Sequence, residues 1–401
     1  MELKRDSILT KKHIALIAVS FLGYIVIALY FNSLGPNAPV MMAFYRITYT
    51  QHGFISTMQS VGSLSAGIFF LLRGERYNKF NVAAVGILLF GAGCLAIGLA
   101  PPYAALVVIV VVCGVGATTI DVMINGMIPE LYPKYKNTLL PMLHAFFGTG
   151  AMASPLIVTA MVQPEIPSTF GRPLLLFGAL GVCVFILFFI ASRRVIPETP
   201  YADMSKIKKS SSIDLADFFK GKEAWVFLLA SMLYFSFQIG IVSWLPSFGR
   251  EIGMDFNTAG AMLTVFLAGS LIMRFCGGII LKRVTARKAY ILFSLISAGA
   301  VILALYVGTP VIMMGLLVIG GFMQGLCIAL LLLMSTEAFP DRAASASSLT
   351  FIGLSVAAMV TPLWMGSLAR FTGFRIPLLL VCALLATSGI LILLAGKKRA
   401  E

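Results

Sequence analysis

Charged residues are scarce in this chain: Asp, Glu, Lys and Arg make up 11% of its 401 residues, whereas 59% are hydrophobic. Soluble domains carry about 25% charged residues, so this composition excludes an ordinary soluble protein. Acidic residues are the scarcest charged type, with 16 against 30 basic residues. A net charge of +14 on so apolar a chain indicates contact with anionic membrane lipids rather than with a nucleic acid.

Cysteine and histidine are also rare, with six and three residues. The cysteines all lie in apolar runs and match no metal or disulfide spacing, so we interpret them as small packing residues. The sequence contains no phosphate-binding glycine loop, metal-ligand cluster or nucleophile constellation. We therefore expect no metal, no cofactor and no enzymatic activity. A membrane enzyme or sensor is the alternative from a different functional class.

Long apolar runs dominate the rest of the sequence. A hydrocarbon core about 30 Å thick requires about 20 apolar residues of helix, and backbone groups in lipid must bond within that helix. Runs of this length, separated by polar or Gly/Pro breaks, predict an all-α membrane protein with twelve transmembrane helices. Their approximate limits are 14–43, 52–72, 82–100, 103–128, 139–162, 173–193, 223–247, 257–281, 289–307, 310–334, 345–370 and 376–395.

Basic residues indicate how these helices are oriented. If the N-terminus, the even-numbered loops and the C-terminus face the cytoplasm, that side holds 24 Lys and Arg residues and the opposite side 5, with Arg274 inside a helix. Lys and Arg near helix ends accumulate on the cytoplasmic side. We therefore expect a multi-pass protein of the cell (inner) membrane with both termini in the cytoplasm.

The second half of the chain repeats the first at an offset of 207 residues. Residues 130–133 (Glu-Leu-Tyr-Pro) fall on 337–340 (Glu-Ala-Phe-Pro), and Pro155 falls on Pro362. Parallel repeats of this kind are typical of transporters, whose ligand site lies near the bilayer midplane between the halves. The predicted domains are an N-terminal six-helix bundle (1–193), a cytoplasmic central loop (194–222) and a C-terminal six-helix bundle (223–401).

A single acidic residue, Asp121, lies within the apolar run 107–128. A charge at bilayer depth costs at least about 2.5–3.5 kcal/mol on insertion scales, so such a residue marks a proton relay, an ion pathway or a ligand site. The alternative is a protonated carboxyl that is hydrogen-bonded between helices. Asn125 follows four residues later and shares the same helix face. The repeat places Ile328 opposite Asp121, so this carboxyl occurs in one half only, which favours a functional role over a scaffold role.

Two further ionisable residues lie inside predicted helices. His144 lies at about the depth of Asp121 on the next, antiparallel helix, where the two could relay a proton; a histidine that only bridges helices fits equally well. Arg274 could pair with Asp121 across the two halves, or extend to the membrane interface. We predict that Asp121, His144 and Arg274 couple transport to protons.

Amides and aromatic rings deep in the helices are the candidate groups for binding a solute. Amides and hydroxyls bind the hydroxyl groups of a sugar, and aromatic faces pack against its C–H groups. An idle amide in hydrocarbon is costly, which favours a binding role. For Trp244 the alternative is the aromatic belt at the membrane interface. The predicted substrate-binding residues are Asn32, Gln59, Asn125, Tyr234, Gln238, Trp244 and Gln324.

Twelve helices in two halves, joined by a basic central loop, resemble the major facilitator superfamily over essentially the whole chain. Residues 278–288 look like its G-x-x-x-D-R-x-G-x-R-K loop motif, with lysine in place of the acid, and the copy at 71–78 keeps only an acid–base pair. The resemblance implies the major facilitator fold of two pseudo-symmetric six-helix bundles. It also implies gating loops that contain Glu75, Arg76, Lys282 and Arg283.

Within the superfamily, three stretches are similar to fucose-permease-like sugar:proton symporters. They are Asp121-x-x-x-Asn125, residues 143–155 around His144, and Tyr234-x-x-x-Gln238 followed by Trp244. The fucose permease has a second acid in its first helix, where this chain has none. The resemblance implies a monomeric secondary transporter that imports a sugar, or another small neutral polar solute, with protons through Asp121. The alternative is a proton-driven exporter of drugs or metabolites.

Overall fold

The computed structural model of the chain describes residues 10–73, 77–132, 134–195, 221–280, 284–339 and 343–394. Within these residues the chain forms α-helices joined by short turns and one 3-10 turn, which confirms the all-α fold class. The helices are α1 (Lys11–Tyr45), α2 (Tyr49–Arg73), α3 (Lys79–Gly98), α4 (Tyr103–Leu131), α5 (Lys136–Met161), α6 (Gly171–Val195), α7 (Lys222–Glu251), α8 (Phe256–Ile280), α9 (Ala286–Tyr306), α10 (Pro310–Gln324), α11 (Cys327–Ala338), α12 (Ala343–Thr372) and α13 (Arg375–Leu394).

Most of these helices are long and apolar enough to cross a membrane. Eleven segments of the described residues reach the length and hydropathy of a span, and the longest, α1, has 35 residues. α10 and α11 together make one of these segments, Pro310–Ala338. The twelve predicted helices thus correspond to α1 to α9, the pair α10 and α11, α12 and α13.

The tenth predicted helix, 310–334, is not continuous but breaks between α10 and α11. Gly325 ends α10, and its N–H is shared between the carbonyls of Gly321 and Phe322. A Cβ atom at residue 325 would collide with the carbonyl oxygen of Ser270 in α8. The break therefore occurs where two helix backbones touch, an approach that glycine permits and larger residues prevent.

The helices group into two compact units. The first contains the described parts of Met1–Phe31, Val61–Gly150 and Gly171–Ser211, where α3 packs against α4 and α6. The second contains the described parts of Asn32–Ser60, Ala151–Phe170 and Ser212–Glu401, where α7 packs against α12 and α13. α1, α2 and α5 contribute residues to both units. The bundles 1–193 and 223–401 therefore stay a prediction that rests on the sequence repeat.

Side chains fix the first turn of several helices. At the start of α2, Oγ1 of Thr48 accepts the N–H of Gln51 at 3.3 Å, and Oε1 of Gln51 accepts the N–H of Thr48 at 2.8 Å. Asn78 and Asp255 each accept two backbone N–H groups at the starts of α3 and α8. Such caps satisfy N–H groups that a helix leaves unpaired, so they define where the spans begin.

In the second unit, α1 and α7 cross closely at Gly35, ten residues before the end of α1. A Cβ atom at Gly35 would collide with the carbonyl oxygen of Val242. Pro246 lies inside α7, four residues after Val242, and has no N–H to donate to that carbonyl. This oxygen, which lacks its usual donor four residues later, faces a glycine whose Cα–H group can approach it. Proline thus removes a hydrogen bond of α7 at the same crossing where glycine leaves α1 without a side chain.

A second crossing joins the start of α2 to α12 in the same unit. A Cβ atom at Gly53 would collide with the carbonyl oxygen of Pro362. One turn later, the Thr57 hydroxyl donates to the carbonyl oxygen of Met359 at 2.7 Å. We call the α1–α7 and α2–α12 crossings the distal helix contact, since they lie at the side where α1 ends and α2 begins.

Candidate functional site

The carboxyl group of Asp121 lies in a hydrogen-bonded cluster between α1 and α4. The Tyr24 hydroxyl donates to Oδ1 of Asp121 at 2.5 Å, and the amide nitrogen of Asn125 donates to the same oxygen at 2.8 Å. That amide nitrogen also lies 2.6 Å from the Tyr24 hydroxyl oxygen. We call Tyr24, Asp121 and Asn125 the carboxylate triangle. Asp121 and Asn125 meet because they are one helical turn apart, as predicted, whereas Tyr24 reaches them from another helix.

The carboxylate triangle is suited to holding a charge inside a membrane span. Tyr24 is 2% exposed, while Asp121 and Asn125 are half-buried. Hydrogen bonds from O–H donors to ionised oxygens are short, about 2.5–2.7 Å, and the Tyr24–Asp121 bond has this length. The two donors therefore stabilise a charge on this carboxyl group by hydrogen bonding.

His144 is brought to the same cluster through Tyr24. The two rings meet edge-on with their centroids 6.0 Å apart, and the His144 side chain is exposed. Phe21 stacks on Phe146 at 4.8 Å and packs α1 against α5 beside them. Tyr24 therefore contacts two of the residues predicted to couple transport to protons.

Tyr24 is the residue of this site that sequence reasoning missed. It lies in an apolar run, 97 residues before Asp121, so no local pattern connects the two. Its position offered one signal. At 1.5 Å per residue it lies about 20 Å along α1 from Lys11, which is too deep for the aromatic belt. A tyrosine at such depth needs a hydrogen-bond partner for its hydroxyl.

In the second unit, two predicted substrate-binding residues are bonded to each other. The Tyr234 hydroxyl donates to Oε1 of Gln324 at 3.0 Å, and Nε2 of Gln324 donates to the Ser270 hydroxyl at 3.1 Å. All three side chains are buried, and Gln324 is 1% exposed. This chain of bonds joins α7, α10 and α8. Tyr234 and Gln324 thus have a structural role whether or not they also bind a solute.

Gln238, one turn after Tyr234 in α7, is in a different situation. Its Oε1 atom is buried and accepts no hydrogen bond from any residue that the structure describes. A buried acceptor without a donor costs about 1–3 kcal/mol. Gln238 is therefore the predicted amide whose acceptor could receive a hydrogen bond from a bound solute.

Arg274 is half-buried in α8, within electrostatic range of the Tyr234 hydroxyl. It belongs to the second compact unit, whereas Asp121 belongs to the first. The predicted ion pair between Arg274 and Asp121 therefore stays a prediction.

Trp244 packs in a buried aromatic group next to the distal helix contact. Its ring stacks on Phe374 at 5.0 Å and meets His52 and Tyr49 edge-on at 5.5 and 6.1 Å. Trp244 is fully buried and His52 is 4% exposed. This burial gives Trp244 a packing role among α7, the start of α2 and the turn before α13. Its solute-binding role and the aromatic-belt alternative both stay predictions.

The other predicted residues divide between the buried interior and undescribed segments. Asn32 in α1 is 5% exposed and Gln59 in α2 is 2% exposed. Both side chains interact with other residues. Glu75, Arg76, Lys282 and Arg283 lie outside the described residues. Next to the first of these segments, Lys79 at the start of α3 forms an ion pair with Glu130 near the end of α4. Glu130 begins the sequence motif that the second half repeats.

Comparison with known proteins agrees with this architecture. The sequence profile of the Major Facilitator Superfamily matches residues 20–258 and 247–401. The chain is 21% identical to a cis,cis-muconate transport protein of Acinetobacter baylyi over 310 residues, 74% of this chain and 73% of that protein. It is 23% identical to the inner membrane transport protein YdiM of Escherichia coli over 314 residues, 76% of this chain and 74% of that protein.

Two solved structures share the fold. The nucleoside transporter NupG superposes with a TM-score of 0.75 at 13% identity, covering 96% of this chain and 98% of that chain. A bacterial homologue of the human lysosomal transporter Spinster, in an inward-facing and occupied conformation, gives a TM-score of 0.76 at 15% identity over 95% of each chain. At these identities the likeness concerns the fold.

Proposed function

The chain belongs to the Major Facilitator Superfamily, and from this premise we propose that it carries a small neutral polar solute, such as a sugar, coupled to protons through Asp121. It is a multi-pass membrane protein and a secondary transporter rather than an enzyme. We further propose that it acts as a monomer in the inner membrane by alternating access, with both termini in the cytoplasm.

The carboxylate triangle is the observation that supports proton coupling. Among the residues that the structure describes, the hydrogen-bond partners of the Asp121 carboxyl group are a hydroxyl and an amide, which stabilise its charge without cancelling it. Proton binding therefore changes the net charge within the span by one unit. Since an ionisable side chain at this depth is costly, a solute-linked proton step gives a physical reason for its presence.

A neutral polar solute is supported by Gln238 and by the fold. The buried Oε1 atom of Gln238 is an acceptor for a solute hydroxyl or N–H group. NupG, which shares the fold, is a nucleoside transporter, and a nucleoside is a neutral molecule that contains a sugar. The finer resemblance to sugar:proton symporters stays a prediction.

An organic carboxylate is the second candidate solute, and one residue favours it. Arg274 is a half-buried cation beside Tyr234, and cations in membrane spans can pair with anionic solutes. A relative at 21% identity is a cis,cis-muconate transport protein, whose substrate carries two carboxylates.

A thermal-shift screen of the purified protein separates these solute classes. The probes are glucose, uridine, cis,cis-muconate and tetraphenylphosphonium, each at two pH values. A ligand that binds only the folded protein raises the melting temperature by mass action. We expect stabilisation by glucose or uridine. Stabilisation by muconate that Arg274→Gln removes would favour the second candidate, and stabilisation by the lipophilic cation would favour an exporter.

Asp121→Asn tests the proton coupling directly in liposomes with the stabilising solute. We expect this variant to lose uphill accumulation driven by a pH gradient and to keep solute exchange, because the amide fills the same space but binds no proton. Loss of both activities would instead indicate a structural role for Asp121.

Asp255→Asn is the matched control. Hydrogen bonds from the Thr258 side chain and from nearby backbone N–H groups lower the pKa of Asp255, so it is charged at neutral pH, but it is exposed in the turn before α8. Asn caps a helix as well as Asp does, so both activities should remain.

A further inference from the structure

We propose that Tyr24 is a positioning residue: through its hydrogen bond, the charge of Asp121 on α4 determines how strongly α1 is bound to α4. This role rests on the proton coupling proposed above. Its hydroxyl connects α1 to the carboxylate on α4, and its ring contacts His144 on α5. The Tyr24 side chain is 2% exposed, so its hydroxyl depends on partners within the protein.

The donors around Asp121 match its charged form. Tyr24 and Asn125 both approach Oδ1, at 2.5 and 2.8 Å. A carboxylate accepts both hydrogen bonds, whereas a proton on Oδ1 would face two donors. A proton from solution therefore binds at Oδ2, where it forms the new O–H bond and removes the charge that Oδ1 shared.

Loss of this charge weakens the connection between α1 and α4. Hydrogen bonds to an ionised acceptor are about twice as strong as those between neutral groups. The hydrogen bond from Tyr24 on α1 to Asp121 is thus strong while Asp121 is charged and weaker once Asp121 is protonated. Because the Tyr24 ring also touches His144, the same change reaches α5.

Other described contacts of α4 do not involve the carboxylate, among them the hydrogen bond between Tyr30 on α1 and Cys113. From α3, Lys79 lies against Gly126 and pairs with Glu130. From α2, the Ser63 hydroxyl donates to the carbonyl oxygen of Gly114 at 3.2 Å. These contacts should therefore persist in both protonation states, while the Tyr24 bond responds to the proton.

A pH titration of the full-length protein in nanodiscs, followed by infrared difference spectroscopy, tests this role with protons as the only probe. The carbonyl stretch of protonated Asp121 is assigned by its loss in Asp121→Asn. In Tyr24→Phe we expect the midpoint of this band to differ from that of the unaltered protein, because a hydrogen bond to the carboxylate is gone.

Tyr30→Phe is the matched control for this titration. It makes the same chemical change six residues farther along α1, where the ring packs edge-on against Phe90 with centroids 5.4 Å apart. We expect the midpoint of the carboxyl band to equal that of the unaltered protein. A second measurement uses the unaltered protein. A tyrosine ring band that shifts at the same pH as the carboxyl band, and that is absent in Tyr24→Phe, would support the same role.

Two results would overturn different claims. If the midpoint in Tyr24→Phe equals that of the unaltered protein, Tyr24 does not sense the charge of Asp121, and the proton coupling stands. If the unaltered protein has no titrating carboxyl band that Asp121→Asn removes, Asp121 does not take up a proton and the proposed function fails with it.

Discussion

Two glutamines of the second unit show how hydrogen-bond partners separate a structural residue from a binding residue. Gln324 is bonded on both sides, to Tyr234 and to Ser270. Gln238 has a buried Oε1 atom with no donor among the described residues. A fully satisfied amide stabilises the fold, whereas an unsatisfied one destabilises it until a ligand arrives. The two residues should therefore respond in opposite ways to the same substitution.

Replacement of each glutamine by leucine tests this difference. Gln324→Leu leaves the Tyr234 and Ser270 hydroxyls without this partner, so we expect a lower melting temperature. Gln238→Leu removes an unpaired acceptor, so we expect an unchanged or higher melting temperature. Its affinity for the solute should fall about three- to tenfold, the equivalent of one neutral hydrogen bond.

Thermal unfolding with and without the stabilising solute measures both effects. Each variant serves as the control of the other, because both lose an amide from a buried helix of the same unit. A Gln238→Leu protein that binds the solute as well as the unaltered chain would exclude Gln238 from the binding site.

At the scale of helices, glycine and proline decide how closely the spans approach. Gly35 and Gly53 allow two backbone contacts in the distal helix contact. Pro246 removes the N–H group that would otherwise bond the Val242 carbonyl facing Gly35. A transporter that alternates between states must form and break such contacts. Backbone contacts without interlocking side chains suit this requirement, since they can separate without rearranging a packed core.

Gly35→Ala should weaken the distal helix contact, because the added Cβ atom collides with the carbonyl oxygen of Val242. A cysteine introduced at Ser247, which is 5% exposed in α7, reports the change. We expect a membrane-impermeant maleimide to label Ser247→Cys slowly in the otherwise unaltered protein and faster when Gly35→Ala is added.

Gly299→Ala provides the control for this labelling. A Cβ atom at Gly299, in the middle of α9, would meet nothing within 4 Å, so the methyl group fits. Alanine in a helix is favoured over glycine by about 0.5–1 kcal/mol, so this variant should be at least as stable and should leave the labelling rate unchanged. Equal labelling rates in all three proteins would mean that the α1–α7 crossing does not control access to Ser247.

At the scale of the whole molecule, the sequence predicted what depends on local pattern. Apolar runs located the helices, and the four-residue spacing placed Asn125 beside Asp121. The sequence did not predict the hydrogen bond between Tyr24 and Asp121, because contacts between residues 97 positions apart leave no local pattern. The break at Gly325 was missed for the same reason, since it depends on the backbone of another helix. Gln324 could not be separated from Gln238 until their partners were known.

The orientation in the membrane is a property of the whole chain and can be tested independently of the solute. The excess of basic residues, 24 against 5, predicts that the turn between α4 and α5 faces the cytoplasm and the turn between α9 and α10 faces outward. Lys134 and Gly308 are exposed in these two turns.

In intact cells an impermeant maleimide should label Gly308→Cys, and it should label Lys134→Cys only after the membrane is permeabilised. The parent chain, whose six cysteines all lie within helices, gives the background labelling. The reverse pattern would invert the topology, and protons that enter from outside would then reach Asp121 from the opposite end of α4.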